Sequence, residues 1–258
     1  MVILGGRVFL GIVLLTLNYI SLMGVSSFRD RQARSELLRD TVTPFSPAYN
    51  PPDVTLQISA FTAFLTSVDG ANDAVDLQEA SYSTQSTTRA NLAKTIKARG
   101  TQILARIKSN TAWISEYHSA KLAANKLRGV SPRKATPTPE APTPAQVQKA
   151  KATEQAYAEI SATFDKLIAV ATGAAGYATG VPTEISSASL TTLSTQFKSL
   201  NTTLSSLDGA LTTAREKRKI LYYGPKGLQE KFQAVKDSVK QQYTQSSAEY
   251  LAVKGIKW

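Results

Sequence analysis

Three features of this sequence predict an all-α fold: a bundle of long antiparallel helices with heptad-like seams, a tandem internal repeat and an N-terminal hydrophobic helix. Leu190, Phe197, Leu204 and Leu211 fall seven residues apart, and Leu193, Leu200, Leu207, Ala214 and Leu221 form a second row offset by three. Two such rows make a continuous apolar seam on a helix. Proline and glycine cluster in a few places, which leaves long stretches without helix breakers. The hydrophobic fraction of 42% is enough to build a core.

Taken in order, residues 1–27 hold an uncharged run of 18 residues, Val8 to Val25, with Arg7 before it. A basic start, an apolar stretch and the small residues Gly24-Val25-Ser26 fit a signal peptide cleaved near Ser26. The same run is just long enough for one membrane anchor. Arg29, Arg31, Arg34 and Arg39 follow, and by the positive-inside tendency they would keep the downstream part in the cytoplasm. A start codon placed too far upstream is the third reading of this stretch. Residues 28–52 read as a linker, with a short charged helix from Phe28 to Val42 and an extended spacer, Thr43 to Pro52, that carries four prolines.

Residues 53–128 read as a first helical repeat. Phe61, Val68, Val75 and Tyr82 are seven apart, a basic stretch follows at 89–100, and Ile103, Ile107, Ile114 and Tyr117 mark another amphipathic helix. Residues 129–144 form a proline-rich linker, where proline at alternate positions forbids helix. Residues 145–258 then hold a connecting helix and a second repeat. The connecting helix carries Tyr157, Ile160, Phe164, Leu167 and Ala171 on one face and ends among Gly173, Gly176 and Gly180. The seam helix follows, roughly 50 Å long at 1.5 Å per residue. Gly224-Pro225 stops it, since proline lacks the N–H and clashes with the preceding turn. Leu228, Phe232, Val235 and Val239 mark one more helix before a short terminal piece.

The two halves align at a constant offset of 129 residues: Phe61 on Leu190, Phe64 on Leu193, Val68 on Phe197, Asn72 on Asn201, Val75 on Leu204 and Arg89 on Arg218. Apolar seams match one another by chance, whereas asparagine on asparagine and arginine on arginine favour duplication, with copies near 50–128 and 182–256. The last third of the chain is distinctive. Arg218, Leu221, Tyr222, Gly227, Leu228, Val235 and Lys236 lead into a tail of Ser247, Glu249, Tyr250, Val253, Lys254, Gly255, Ile256, Lys257 and Trp258. In these residues the chain resembles a group of uncharacterised bacterial tandem helical proteins that end in Glu-Tyr-x-x-Val-Lys-Gly-Ile-Lys-aromatic. The resemblance implies a tandem helical protein and brings no activity. Ala93 and Lys94 stand where the second copy has Tyr222 and Tyr223, so any role of that tyrosine pair belongs to the second copy.

The net charge of +11 is unevenly spread: residues 53–87 carry −5, 88–134 carry +10 and 215–258 carry +6. If the acidic run (Asp53, Asp69, Asp73, Asp76, Glu79) and the basic run (Arg89, Lys94, Lys97, Arg99, Arg106, Lys108) lie on antiparallel neighbours, part of this charge is answered inside the bundle. The absence of cysteine excludes disulfides, thiolate catalysis and zinc–thiolate sites. His118, the single histidine, supports neither a triad nor a metal cluster. Gly173, Gly176 and Gly180 are followed by no Gly-Lys-Ser/Thr, which makes them a helix end rather than a phosphate loop. Gly224-Pro225-Lys226-Gly227, with Lys226 and Lys231, could offer helix N-terminal amides to an anion, and reads first as a break between packed helices. Asn201-Thr202-Thr203 matches a glycosylation sequon inside a helix and carries no meaning in a bacterial protein.

The sequence therefore points to a non-enzymatic helical scaffold or interaction module of the cell envelope, membrane-anchored or secreted. Its expected partners are the membrane, through residues 1–27, and a protein or a second copy, through the helix seams. The alternative is a cytoplasmic, basic, nucleic-acid-binding helical protein that uses the 89–134 and 215–240 faces. No catalytic, cofactor-binding or metal residue is assigned, and no small-molecule substrate is inferred.

Overall fold

A computed structural model describes residues 27–129, 139 and 141–258, and all regular structure among them is helical. Seven α-helices follow one another: α1 (Phe28–Val42), α2 (Ile58–Lys108), α3 (Ile114–Gly129), α4 (Pro144–Gly173), α5 (Ser187–Tyr223), α6 (Leu228–Gln242) and α7 (Ala248–Lys254). The apolar run at residues 8–25 and most of the proline-rich linker lie outside the described residues. Among the described residues, no helix is long and apolar enough to cross a membrane.

The longest element is α2, with 51 residues and so about 76 Å of helix. A helix from Asp53, a basic stretch at 89–100 and a second helix through Ile103, Ile107, Ile114 and Tyr117 were expected here; the structure runs Ile58–Lys108 as one helix and breaks before Ile114. The reason is a single row of residues seven apart. Phe61, Val68, Val75, Tyr82, Arg89, Ile96 and Ile103 are all buried, so the inward face runs through the basic stretch without interruption. Consequently the acidic and basic runs share one helix and do not answer each other across a bundle. Serine and threonine are tolerated because their hydroxyls bond back to the carbonyl four residues earlier, as at Thr62, Thr84, Thr87 and Thr95. The seam of α5 is buried as its spacing predicts, through Leu190, Phe197, Leu204 and Leu211.

The described residues divide into two compact units. A terminal unit takes the chain up to Asp73 together with Lys217–Trp258, and a central unit takes Ala74–Glu216. Both α2 and α5 contribute to each unit, so the units do not coincide with the domains expected from the sequence. The terminal unit buries Leu38, Val42, Phe61, Leu65, Val68, Tyr222, Phe232, Val235 and Val239 in one core. Residues 28–52 were expected as a linker; instead α1 inserts Leu38 and Val42 into this core, and Tyr49 follows them. A reciprocal capping box starts α1, with Ser27 Oγ accepting from the Asp30 amide and the Asp30 carboxylate accepting from the Ser27 amide.

The central unit has its own core of Ile96, Ile103, Ile107, Leu127, Tyr157, Ile160, Phe164, Leu167, Leu190 and Phe197. Within it α2 and α5 run antiparallel: Glu79 pairs with Arg215, and further along α2 Arg89 meets Asn201. Gly100 explains how closely α3 and α4 approach α2. A Cβ there would stand 3.0 Å from a Leu127 methyl and 3.3 Å from a Leu167 methyl.

Candidate functional site

Among the described residues, a buried polar cluster joins helices within each unit. In the central unit Arg89 sits on the apolar row of α2 and is wholly buried. Its guanidinium forks onto Glu154 of α4, with Nη1 donating to Oε2 at 2.8 Å and Nη2 to Oε1 at 2.7 Å. Nη1 also reaches Asn201 Oδ1 of α5 at 3.3 Å. The Arg89 guanidinium carbon stands 3.9 Å from the centre of the Tyr157 ring. One charge thus ties three helices together, while the Glu154 side chain keeps 51% of its surface in water. Burial pushes the Tyr157 and Tyr82 hydroxyls above the ordinary tyrosine range. Both remain protonated at neutral pH.

In the terminal unit the cluster is neutral at its centre. Asn72 Nδ2, on α2, donates to Gln32 Oε1 of α1 at 2.7 Å and to Tyr222 Oη of α5 at 2.8 Å. The Tyr222 hydroxyl donates in turn to the Phe28 carbonyl at 2.7 Å. Gln32 Nε2 continues to Asp69 Oδ1 and Glu36 Oε1, and Arg29 closes the edge on Asp69 and Asp73. Burial raises the Tyr222 hydroxyl, opposed by its hydrogen bond with Asn72. Arg218 lies over the Phe28 ring with its guanidinium carbon 4.2 Å from the centroid. The donors of Asn72, Tyr222, Gln32 and the two Arg89 Nη atoms go to carbonyl, amide, hydroxyl and carboxylate oxygens of the same chain, while Arg89 Nε and Asn72 Oδ1 are buried without a partner. Neither cluster offers a free nucleophile beside a base.

The other residues singled out from the sequence are scattered. His118 is exposed on α3, next to Tyr117. Among the described residues, no three His, Asp or Glu side chains gather to hold a metal ion. The Gly173–Gly180 turn presents carbonyls, the reverse of a phosphate loop. Arg106 donates to the carbonyls of Tyr177, Thr179 and Gly180, and Trp113 Nε1 donates to that of Ala175. The break before α6 has its anion already: the Lys226 amide donates to Glu230 Oε2 at 2.7 Å, and Lys231 lies against the Thr55 carbonyl and the Phe64 ring. Gly224 is required there, because a Cβ would stand 2.6 Å from the Ile220 carbonyl oxygen.

The basic run is likewise divided, since Arg89 and Arg106 turn inward to internal partners and Arg99 donates to Gln102. Lys94 and Lys108 are exposed. A cleft of about 300 Å³ opens beside Arg106, lined also by Gln102, Ser109, Pro182, Glu184 and Ile185. That volume is at the bottom of the range for small-molecule sites. Sequence reasoning missed the Arg89–Glu154 pair and the Asn72–Gln32–Tyr222 network. The signal for the first was present: an arginine at the next seven-residue step after Tyr82 occupies a core position. No family model, no curated protein and no solved structure matches this chain.

Proposed function

We propose that this protein is a non-enzymatic helical scaffold or interaction module of the cell envelope, carried there by its N-terminal apolar segment. The observation that carries this reading is the position of the Ser27 capping box. Helix α1 begins at its own cap two residues after Val25, where the uncharged run ends, and this boundary suits a leader or anchor joined to the fold at Ser27. The arginines that follow it, which argued for a cytoplasmic side, have structural partners. Arg29 binds Asp69 and Asp73, Arg34 donates to the Trp258 carbonyl, and Arg39 pairs with Asp40. Their charge is a weak guide to topology. The buried polar clusters support a scaffold, since their hydrogen bonds join one helix to another.

The reading includes duplication, with copies longer than the sequence pattern alone implied. At the same offset of 129, Phe28 corresponds to Tyr157, Leu38 to Leu167 and Val42 to Ala171, all on the helix that precedes each long one. Tyr49 Oη donates to the Leu56 carbonyl at 3.2 Å, and Tyr177 Oη donates to the Ile185 carbonyl at 3.1 Å, the same clasp before each long helix. Arg89 lies over Tyr157 and Arg218 over Phe28, so each equivalent arginine stacks on the aromatic of the other copy.

Fractionation of the host, with mass spectrometry of the N-terminus, tests the envelope reading. The expected result is either an intact N-terminus in the membrane fraction or a chain beginning near Ser27 outside the cytoplasm. A soluble cytoplasmic protein would overturn it and make the exposed lysines the lead.

A further inference from the structure

The place where the apolar run joins the fold has a distinctive surface. The Phe28 carbonyl accepts from Tyr222, the Phe28 ring centre is 5.9 Å from that of Tyr223, and the Arg31 guanidinium carbon lies 5.2 Å from the Tyr223 ring centre. The end of α5 is therefore held beside Ser27. On that end Ile220 is 64% exposed and Tyr223 41% exposed, although both are apolar or aromatic. Lys217 and Lys219 are exposed on the same stretch of α5, and Trp258 joins the group through Arg31. Asp30 is occupied by the Ser27 amide, and Asp69 and Asp73 by Arg29, while Glu216 is exposed beside Lys217.

We infer that this face, formed by the start of α1 and the end of α5, lies against a lipid surface, with Tyr223 and Ile220 at headgroup depth and the lysines on anionic lipid. The inference rests on the proposal that the apolar run enters the membrane. If the hydrocarbon edge falls at Val25, two residues of extended chain place Ser27 within about 7 Å of it. The headgroup layer is about 5–7 Å deep on each side, so whatever is bound to Ser27 and Phe28 must suit that layer. Tyrosine, tryptophan and lysine are the side chains enriched there.

The chain lacks cysteine, so single labels are straightforward. In full-length protein mixed with phosphatidylcholine–phosphatidylglycerol vesicles, a fluorophore is placed on K219C or on V54C. Val54 is exposed in the terminal unit but precedes α2, about 20 Å along the helix from the level of Asn72. Headgroup-spin-labelled lipid should quench the label at Lys219→Cys and leave that at Val54→Cys unchanged. Co-flotation that survives high salt, with both labels quenched alike or neither quenched, would overturn the face while leaving the anchor intact. Binding that high salt reverses, with selective quenching at Lys219→Cys, would keep the face and remove the anchor. Absence of both flotation and quenching would remove both.

Discussion

The two units hold their helices together with buried polar clusters of opposite chemistry. In the central unit one arginine, wholly buried, holds three helices through an ionic fork and a ring face. In the terminal unit Arg218 is only partly buried, and the centre is held by a neutral amide–phenol–amide network. The two asparagines differ in partner: Asn72 donates to the Tyr222 hydroxyl, whereas Asn201 accepts from Arg89. A buried charge is costly unless it is paired, and loss of one member of a neutral network leaves its buried partners unsatisfied, at about 1–3 kcal/mol for each group.

The largest expected effect sharpens this contrast. Arg89→Ala should lower unfolding free energy by ~3 kcal/mol, through lost pairing and packing. Arg218→Ala should cost about 1 kcal/mol, mainly the stacking on Phe28. Urea unfolding of both variants checks it, and equal losses would break the distinction. Next, Asn72→Ala should cost about 2 kcal/mol and Tyr222→Phe about 1 kcal/mol, because the first strands two partners and the second removes one hydroxyl. Molar salt should leave these losses unchanged but reduce that of Arg89→Ala, whose carboxylate partner is half in water.

The smallest effect concerns the two tyrosine clasps. Tyr49→Phe and Tyr177→Phe should each cost up to about 1 kcal/mol at neutral pH. Burial pushes the Tyr49 hydroxyl from 10.0 up to about 12, against a weaker opposing contact with Ser238. The folded state thus holds this proton more tightly than the unfolded chain. Its contribution is fully present below pH 10 and is lost as pH rises through about 12. Tyr49→Phe should flatten stability in that alkaline window, measured by denaturant titration at several pH values. An unchanged alkaline slope would mean that other tyrosines dominate it.

Much of the helical content was legible because helices announce themselves locally. The seam from Leu190 to Leu211, the stop at Gly224-Pro225 and the amphipathic pattern of Leu228, Phe232, Val235 and Val239 all match the observed elements. The continuity of α2 was missed because the pattern was followed through Tyr82 and abandoned at Arg89, a residue type that rarely occupies a core. Docking of α1 was missed for a related reason. Its inward face includes Ser35, whose hydroxyl bonds back to the Arg31 carbonyl, and Gln32, a polar residue whose burial makes sense only beside Asp69 and Asn72.

The sequence by itself determined the all-α class and the breaks at Gly173–Gly180 and Gly224-Pro225. Each depends on periodicity or on proline and glycine, which act over one or a few turns. Tertiary structure alone decided that Arg89 is a core residue, that Asn72 and Tyr222 meet across 150 positions of chain, and that α2 and α5 serve both units. The physical reason is that a buried polar group is stable only beside a partner, and these partners come from distant helices.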